Sequence, residues 1–130
     1  MDTAGIFATY PGPHLTVMGG FLDQVVSTGL LVTVVLAMND KKNIQIPNGT
    51  GVIIAGMTVI LLGATFGYNC GYALNPTRDI GPRFFTYIAG WGSQTFTAGN
   101  YFFWIPIVAP MVGSLIATIL YTIIISNNLK

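Results

Sequence analysis

Apolar residues run almost unbroken through three stretches of the chain, 15–38, 50–67 and 101–126, and polar residues gather between them. A helix needs about 20 residues to cross the roughly 30 Å hydrocarbon layer of a bilayer, so the pattern predicts three spanning helices. The first carries Asp23 and Gln24 near its start and the third carries Pro106 and Pro110; both are tolerable where those faces meet other helices that satisfy the freed polar groups. The intervening stretch, 68–87, is too short and too polar for an ordinary fourth crossing. If 68–74 is extended it covers about 23 Å at roughly 3.3 Å per residue, and a helix over 76–87 climbs back about 18 Å at 1.5 Å per residue. The expectation is a re-entrant loop and half-helix reaching the bilayer midplane. Non-helical backbone at that depth is tolerated only where it is buried in protein or lines water, which implies a pore.

Composition agrees: 52% of residues are hydrophobic and 7% charged, where soluble domains carry about 25% charged residues. The net charge of +1 gives no reason to expect nucleic acid or a polybasic attachment to lipid. A single cysteine, Cys70, excludes an internal disulfide and any multi-cysteine metal or redox site. No cofactor, metal or catalytic residue is expected. Lys41 and Lys42 lie in the link 39–48 and Lys130 at the end, whereas 2–14 holds neither Lys nor Arg. The positive-inside rule therefore puts the N-terminus outside and the C-terminus in the cytoplasm. Residues 1–16 lack a basic stretch followed by an apolar core, so no cleaved signal peptide is expected.

Candidate chemistry concentrates in 63–83, GATFGYNCGYALNPTRDIGPR. Ionisable groups at membrane depth cost about 2.5 to 3.5 kcal/mol on insertion scales and so face a cavity, a partner or a pathway. Asn75 is a strong N-cap and Pro76 suits the first helical position, where an N–H would lack a partner anyway. The helix start would offer donors to a permeant hydroxyl and repel cations. Arg78, three residues on, shares a face with Asn75, and Asp79 and Arg83 stand at pairing distance. Gly67 and Gly71 are expected to allow an unusual backbone that turns carbonyls inward. Blander readings apply elsewhere. Gly63 and Gly67 form a GxxxG of the helix-packing type, Asp23 is expected to bond loop backbone, and Tyr101, Phe102, Phe103 and Trp104 read as interfacial aromatics. The Asn48-Gly49-Thr50 sequon falls on the cytoplasmic side and is discounted. His14 and Cys70 carry no assigned chemistry.

With TAGIFATYP (3–11), GYALNPTRDIGPRFFTYIAGWG (71–92) and FFWIPIVAPMVGS (102–114) in place, nearly the whole chain resembles the C-terminal half of an aquaglyceroporin, the glycerol branch of the major intrinsic proteins. The resemblance implies an all-α membrane protein, half of a six-helix channel fold in which two Asn-Pro-Ala half-helices meet head to head, with four complete channels assembling as a homotetramer. It implies Gly63, Tyr72 and Arg78 in the selectivity filter, the missing half supplying a fourth residue, and Asn75, Pro76 and Thr77 as the half-helix motif. Asp79, Arg83, Pro106 and Ile107 mark the glycerol branch. Two positions depart from the family pattern: Thr77 replaces Ala, and Gln24 stands where a buried Glu supports the loop.

The reading is thus a half-channel for glycerol and water, integral to the membrane and multi-pass, placed in the plasma membrane, with no enzyme activity. Its alternative is a non-conducting fragment that interacts with full-length subunits. A small polyol transporter is weaker, because one half-helix without its partner builds no gated site.

Overall fold

A computed structural model describes residues 3–47 and 49–129 of the chain. The sequon residue Asn48 and the charge-bearing Lys130 lie outside them. The described residues are helical and turn structure with no strand, and their helices are α1 (Val17–Asn39), α2 (Thr50–Cys70), α3 (Pro76–Thr86), α4 (Gln94–Tyr101) and α5 (Ile105–Leu120). Three helical stretches are long and apolar enough to cross a membrane: Val17–Asn39, Thr50–Cys70 and the composite Gln94–Asn128.

Local chemistry sets the starts. Thr16 Oγ1 accepts from the Gly19 N–H at 3.0 Å to cap α1. Asn75 Oδ1 accepts from the Thr77 N–H at 2.9 Å to cap α3, whose first residue is Pro76. The ends depart from the sequence expectation. α2 runs on to Cys70 rather than breaking after Gly67, because the polar residues that looked like loop are paired. Asn69 donates to Asp23 Oδ2 at 2.6 Å, and Cys70 Sγ donates to Asp23 Oδ1 at 3.1 Å. The non-helical limb is therefore only 71–75, and it is not extended: Gly71, Tyr72 and Leu74 have φ of 76°, 40° and 56°. The third span also begins differently. Ala98–Asn100 break α4 and Tyr101 is left-handed, so regular helix resumes at Ile105 after a tight turn at Phe102–Trp104.

The core lies where α1 packs on α5. Small residues let the backbones approach: a Cβ on Gly113 would overlap the Val25 carbonyl oxygen, and one on Gly29 would stand 3.6 Å from the Gly113 carbonyl oxygen. Phe102 is fully buried here with Cys70, Ile105 and Ala109. It is a core residue and not an interfacial aromatic, whereas Tyr101 is 61% exposed. At the other end Asp40 binds α1 to the tail of α5, accepting from the Lys42 N–H at 3.0 Å and from Tyr121 Oη at 3.1 Å. The Lys42 amide bond, and after it a bond from Ser126, hold the Asp40 carboxyl below its usual range.

Candidate functional site

The short limb 71–75 and the start of α3 form one side of a cavity of about 540 Å³, lined by Tyr72, Ala73, Leu74, Asn75, Pro76 and Arg78. The other side comes from one face of α1 (Thr28, Leu31, Val32), Val59 of α2, and Pro110, Met111 and Ser114 of α5. The first side thus sets the polar groups of Tyr72, Asn75 and Arg78 among apolar Ala73, Leu74 and Pro76, and the facing side is mostly apolar.

Gln24 holds the strained limb. Fully buried on α1, it accepts from the Leu74 N–H at 3.1 Å and donates from Nε2 to Cys70 Sγ at 3.0 Å. A carboxylate would supply only acceptors, whereas the amide uses both capacities. Asp23 does not bond loop backbone as expected; it anchors the last turn of α2 through Asn69 and Cys70. The adjacent pair divides the support between helix end and loop.

The glycine notch serves Tyr72 and not a neighbouring helix. A Cβ on Gly63 would lie 3.1 Å from the Tyr72 ring, and one on Gly67 would lie 3.2 Å from it. Gly67 is helical, its carbonyl accepting from the Gly71 N–H at 3.0 Å, so only Gly71 supplies the special backbone. Gly63 stands behind the Tyr72 ring that lines the cavity.

On α3, Asn75, Thr77 and Arg78 are exposed, while Asp79 and Arg83 are buried. Arg78 Nη1 donates to the Phe7 carbonyl at 3.2 Å. Arg83 Nε meets Asp79 Oδ2 at 2.8 Å, and its Nη1 donates to the Thr95 carbonyl at 2.5 Å. Arg83 Nη2 reaches the Thr9 carbonyl, and the guanidinium lies 4.6 Å from the centre of the Tyr10 ring. Asp79 Oδ1 accepts from Thr9 N–H and Oγ1 at 2.6 and 2.5 Å. The pair therefore rivets loop 3–16 and α4 onto α3 and takes no part in the cavity wall. Pro106 is buried and Ile107 partly buried at the start of α5, likewise away from that wall. His14 stacks on Tyr68 at 4.9 Å.

Sequence reasoning missed Phe7 and Thr9, which lie about 70 residues from their partners. It also missed the facing wall, although Thr28, Leu31 and Val32 share the three- and four-residue spacing of one helical face.

Comparison with known proteins places this geometry. The Major intrinsic protein family matches residues 1–121. The chain is 49% identical over 125 residues to human "Aquaporin-10", covering 96% of this chain and 42% of that protein. It is 47% identical over 126 residues to "Aquaporin-9" of Rattus norvegicus, covering 97% and 43%, and 48% identical over 120 residues to "Aquaporin-7" of the same organism, covering 92% and 45%. The chain thus spans less than half the length of these curated relatives. Among solved structures, the aquaglyceroporin from Plasmodium falciparum superposes with a TM-score of 0.89 at 35% identity, covering 95% of this chain and 51% of that one. With a family match over nearly its whole length and the helical framework of a solved aquaglyceroporin, the chain belongs to the major intrinsic protein family.

Proposed function

We propose that the chain is the C-terminal half of a channel that passes glycerol and water by facilitated diffusion. The carrying observation is the two-sided cavity: Arg78 and Asn75 offer hydrogen-bond donors, while Tyr72, Leu31, Val32, Val59 and Met111 offer apolar surface. A polyol has hydroxyls for those donors and a carbon backbone for the apolar surface. Because Asn75 Oδ1 is used to cap α3, its Nδ2 is the group left for a permeant. Gly63, by leaving room for Tyr72, sets the width of the filter, and Arg78 with the start of α3 repels cations. Pro76 and Thr77 begin the half-helix that meets its counterpart from the missing N-terminal half. Asp79, Arg83, Pro106 and Ile107 shape the glycerol branch by fixing α3 and the start of α5. The chain works in the plasma membrane, N-terminus outside and C-terminus cytoplasmic, with four complete channels forming a homotetramer. It transports and catalyses no reaction.

The test is glycerol uptake by cells making residues 1–130 alone, or together with the N-terminal half of a related aquaglyceroporin. Uptake only on co-expression is expected; robust uptake by this chain as a monomer would sink the half-channel reading. One observation favours a second reading, an interaction fragment that binds full-length subunits: the polar Arg78 and Asn75 are exposed on this chain and call for another protein surface. Co-purification with a full-length channel whose flux then falls would favour it.

A further inference from the structure

Loop 3–16 has little regular structure beyond the turn Ala4–Ile6, yet Ala4, Ala8 and Thr9 are buried. Thr9 is the reason. Its N–H and Oγ1 both donate to Asp79 Oδ1, and its carbonyl accepts from Arg83. Two residues earlier, the Phe7 carbonyl accepts from Arg78 Nη1 at 3.2 Å. The Phe7 ring is held between Phe85, 5.3 Å away, and Trp91, 6.0 Å away. Arg78 and Asp79 are neighbours on α3 and point about 100° apart, so Phe7 and Thr9, two residues apart in the loop, hold two adjoining faces of the helix. No other hydrogen bond holds the Arg78 guanidinium among the described residues.

Resting on the pore reading of Arg78, we propose that Thr9 is a specificity-determining positioning residue. By clasping the Asp79–Arg83 pair it keeps the Phe7 carbonyl where it orients the Arg78 guanidinium toward a polyol. A guanidinium is a rigid planar fork of donors, so engaging one N–H on Phe7 fixes which N–H groups face the cavity. Two hydroxyls of one glycerol need two donors in register. A water molecule needs one. Misaiming Arg78 therefore penalises glycerol more than water.

The experiment uses this chain assembled with a companion N-terminal half in lipid vesicles, with glycerol and water permeability each normalised to channel content. Thr9→Val keeps the side-chain shape and loses the Oγ1 bond while both Thr9 backbone bonds remain, and is expected to lower the glycerol-to-water ratio about threefold to tenfold, the range for one ordinary hydrogen bond. Thr9→Ser should restore the ratio. In an Arg78→Val background, Thr9→Val should change the ratio no further. Equal loss of both permeabilities, or an additive loss in that background, overturns the proposal. If Arg78→Val lowers the ratio and Thr9→Val does not, the positioning role fails while the pore reading stands. If Arg78→Val leaves the ratio unchanged, both fail. Should Thr9→Val not insert, Phe7→Ala loosens the clasp without touching the buried pair and carries the same expectation. A flux-independent readout is the Arg78 Nη signals of the 15N-labelled chain in lipid. Hindered rotation should give resolved signals that collapse in either variant, and unchanged signals overturn the proposal.

Discussion

Tyr72 sits in left-handed backbone at φ 40°, a conformation that costs a bulky residue about 1–3 kcal/mol and persists only where the surroundings over-determine it. Here they do: the ring fills the notch made by Gly63 and Gly67, and the next-but-one N–H is tied to Gln24. Any side chain at position 63 must compete with that ring. Gly63→His, in a channel completed by a companion half, should displace Tyr72 into the cavity and reduce glycerol permeability about tenfold more than water permeability, equivalent to roughly 1.4 kcal/mol of selectivity. Vesicle swelling measures both. Equal reduction would mean that this wall is no part of the constriction. The Asp79–Arg83 pair acts by a different route, because both side chains are buried and each polar atom has partners. Removing one member leaves an uncompensated charge at a cost of about 3–5 kcal/mol, so variants there report folding before they report permeation.

Between elements, the contact that matters most is the crossing of α1 and α5. Lipid tails are as apolar as the helix surfaces, so association depends on close packing rather than on escape from water. Gly113 supplies the closest approach, with the Val25 backbone where a Cβ would go. Gly113→Ala should therefore destabilise the helix pair by about 1–3 kcal/mol, whereas Ile123→Ala on the exposed face should stay within roughly 0.5 kcal/mol. Unfolding in mixed micelles followed by circular dichroism separates the two, and equal midpoints would show that the crossing tolerates a wider gap. Such crossings also mark what the sequence could and could not show. Apolar runs long enough for a bilayer exposed all three spans, and Asn75-Pro76 exposed the start of α3, because both signals are local. The end of α2 was hidden. Tyr68 and Asn69 look like loop until Asp23, 46 residues away, is brought against Asn69. Phe102 reads as an interfacial aromatic for the same reason: its burial depends on Gly20 of α1, where a Cβ would lie 2.5 Å from its ring. Phe7 and Thr9 fall in the stretch 3–11 that carries the family resemblance, but their individual roles exist only across the contact with α3.

On the scale of the molecule, polar groups of the cavity wall and apolar helix faces are both left on the outside of this chain. Arg78 and Asn75 are exposed, and only 6% of the apolar window of α2 is buried. In a bilayer the apolar faces are at home, but Arg78 is not. A guanidinium facing hydrocarbon costs several kcal/mol even after snorkelling and bilayer thinning, and the exposed Asn75 amide adds a second polar group at the same place. Only another protein surface or trapped water can relieve both. Residues 1–130 made alone should therefore leave the monomeric state, either forming assemblies or remaining protease-sensitive, and a companion N-terminal half should restore a protease-resistant complex. Pulse-chase with limited proteolysis and cross-linking in native membranes reads both outcomes. Co-expression is expected to lengthen the half-life of this chain several-fold and to replace its self-cross-links with cross-links to the companion. A protease-resistant monomer persisting without any companion would show that α1, α2, α3 and α5 already satisfy Arg78 and the start of α3. The need for an opposite wall would then be gone.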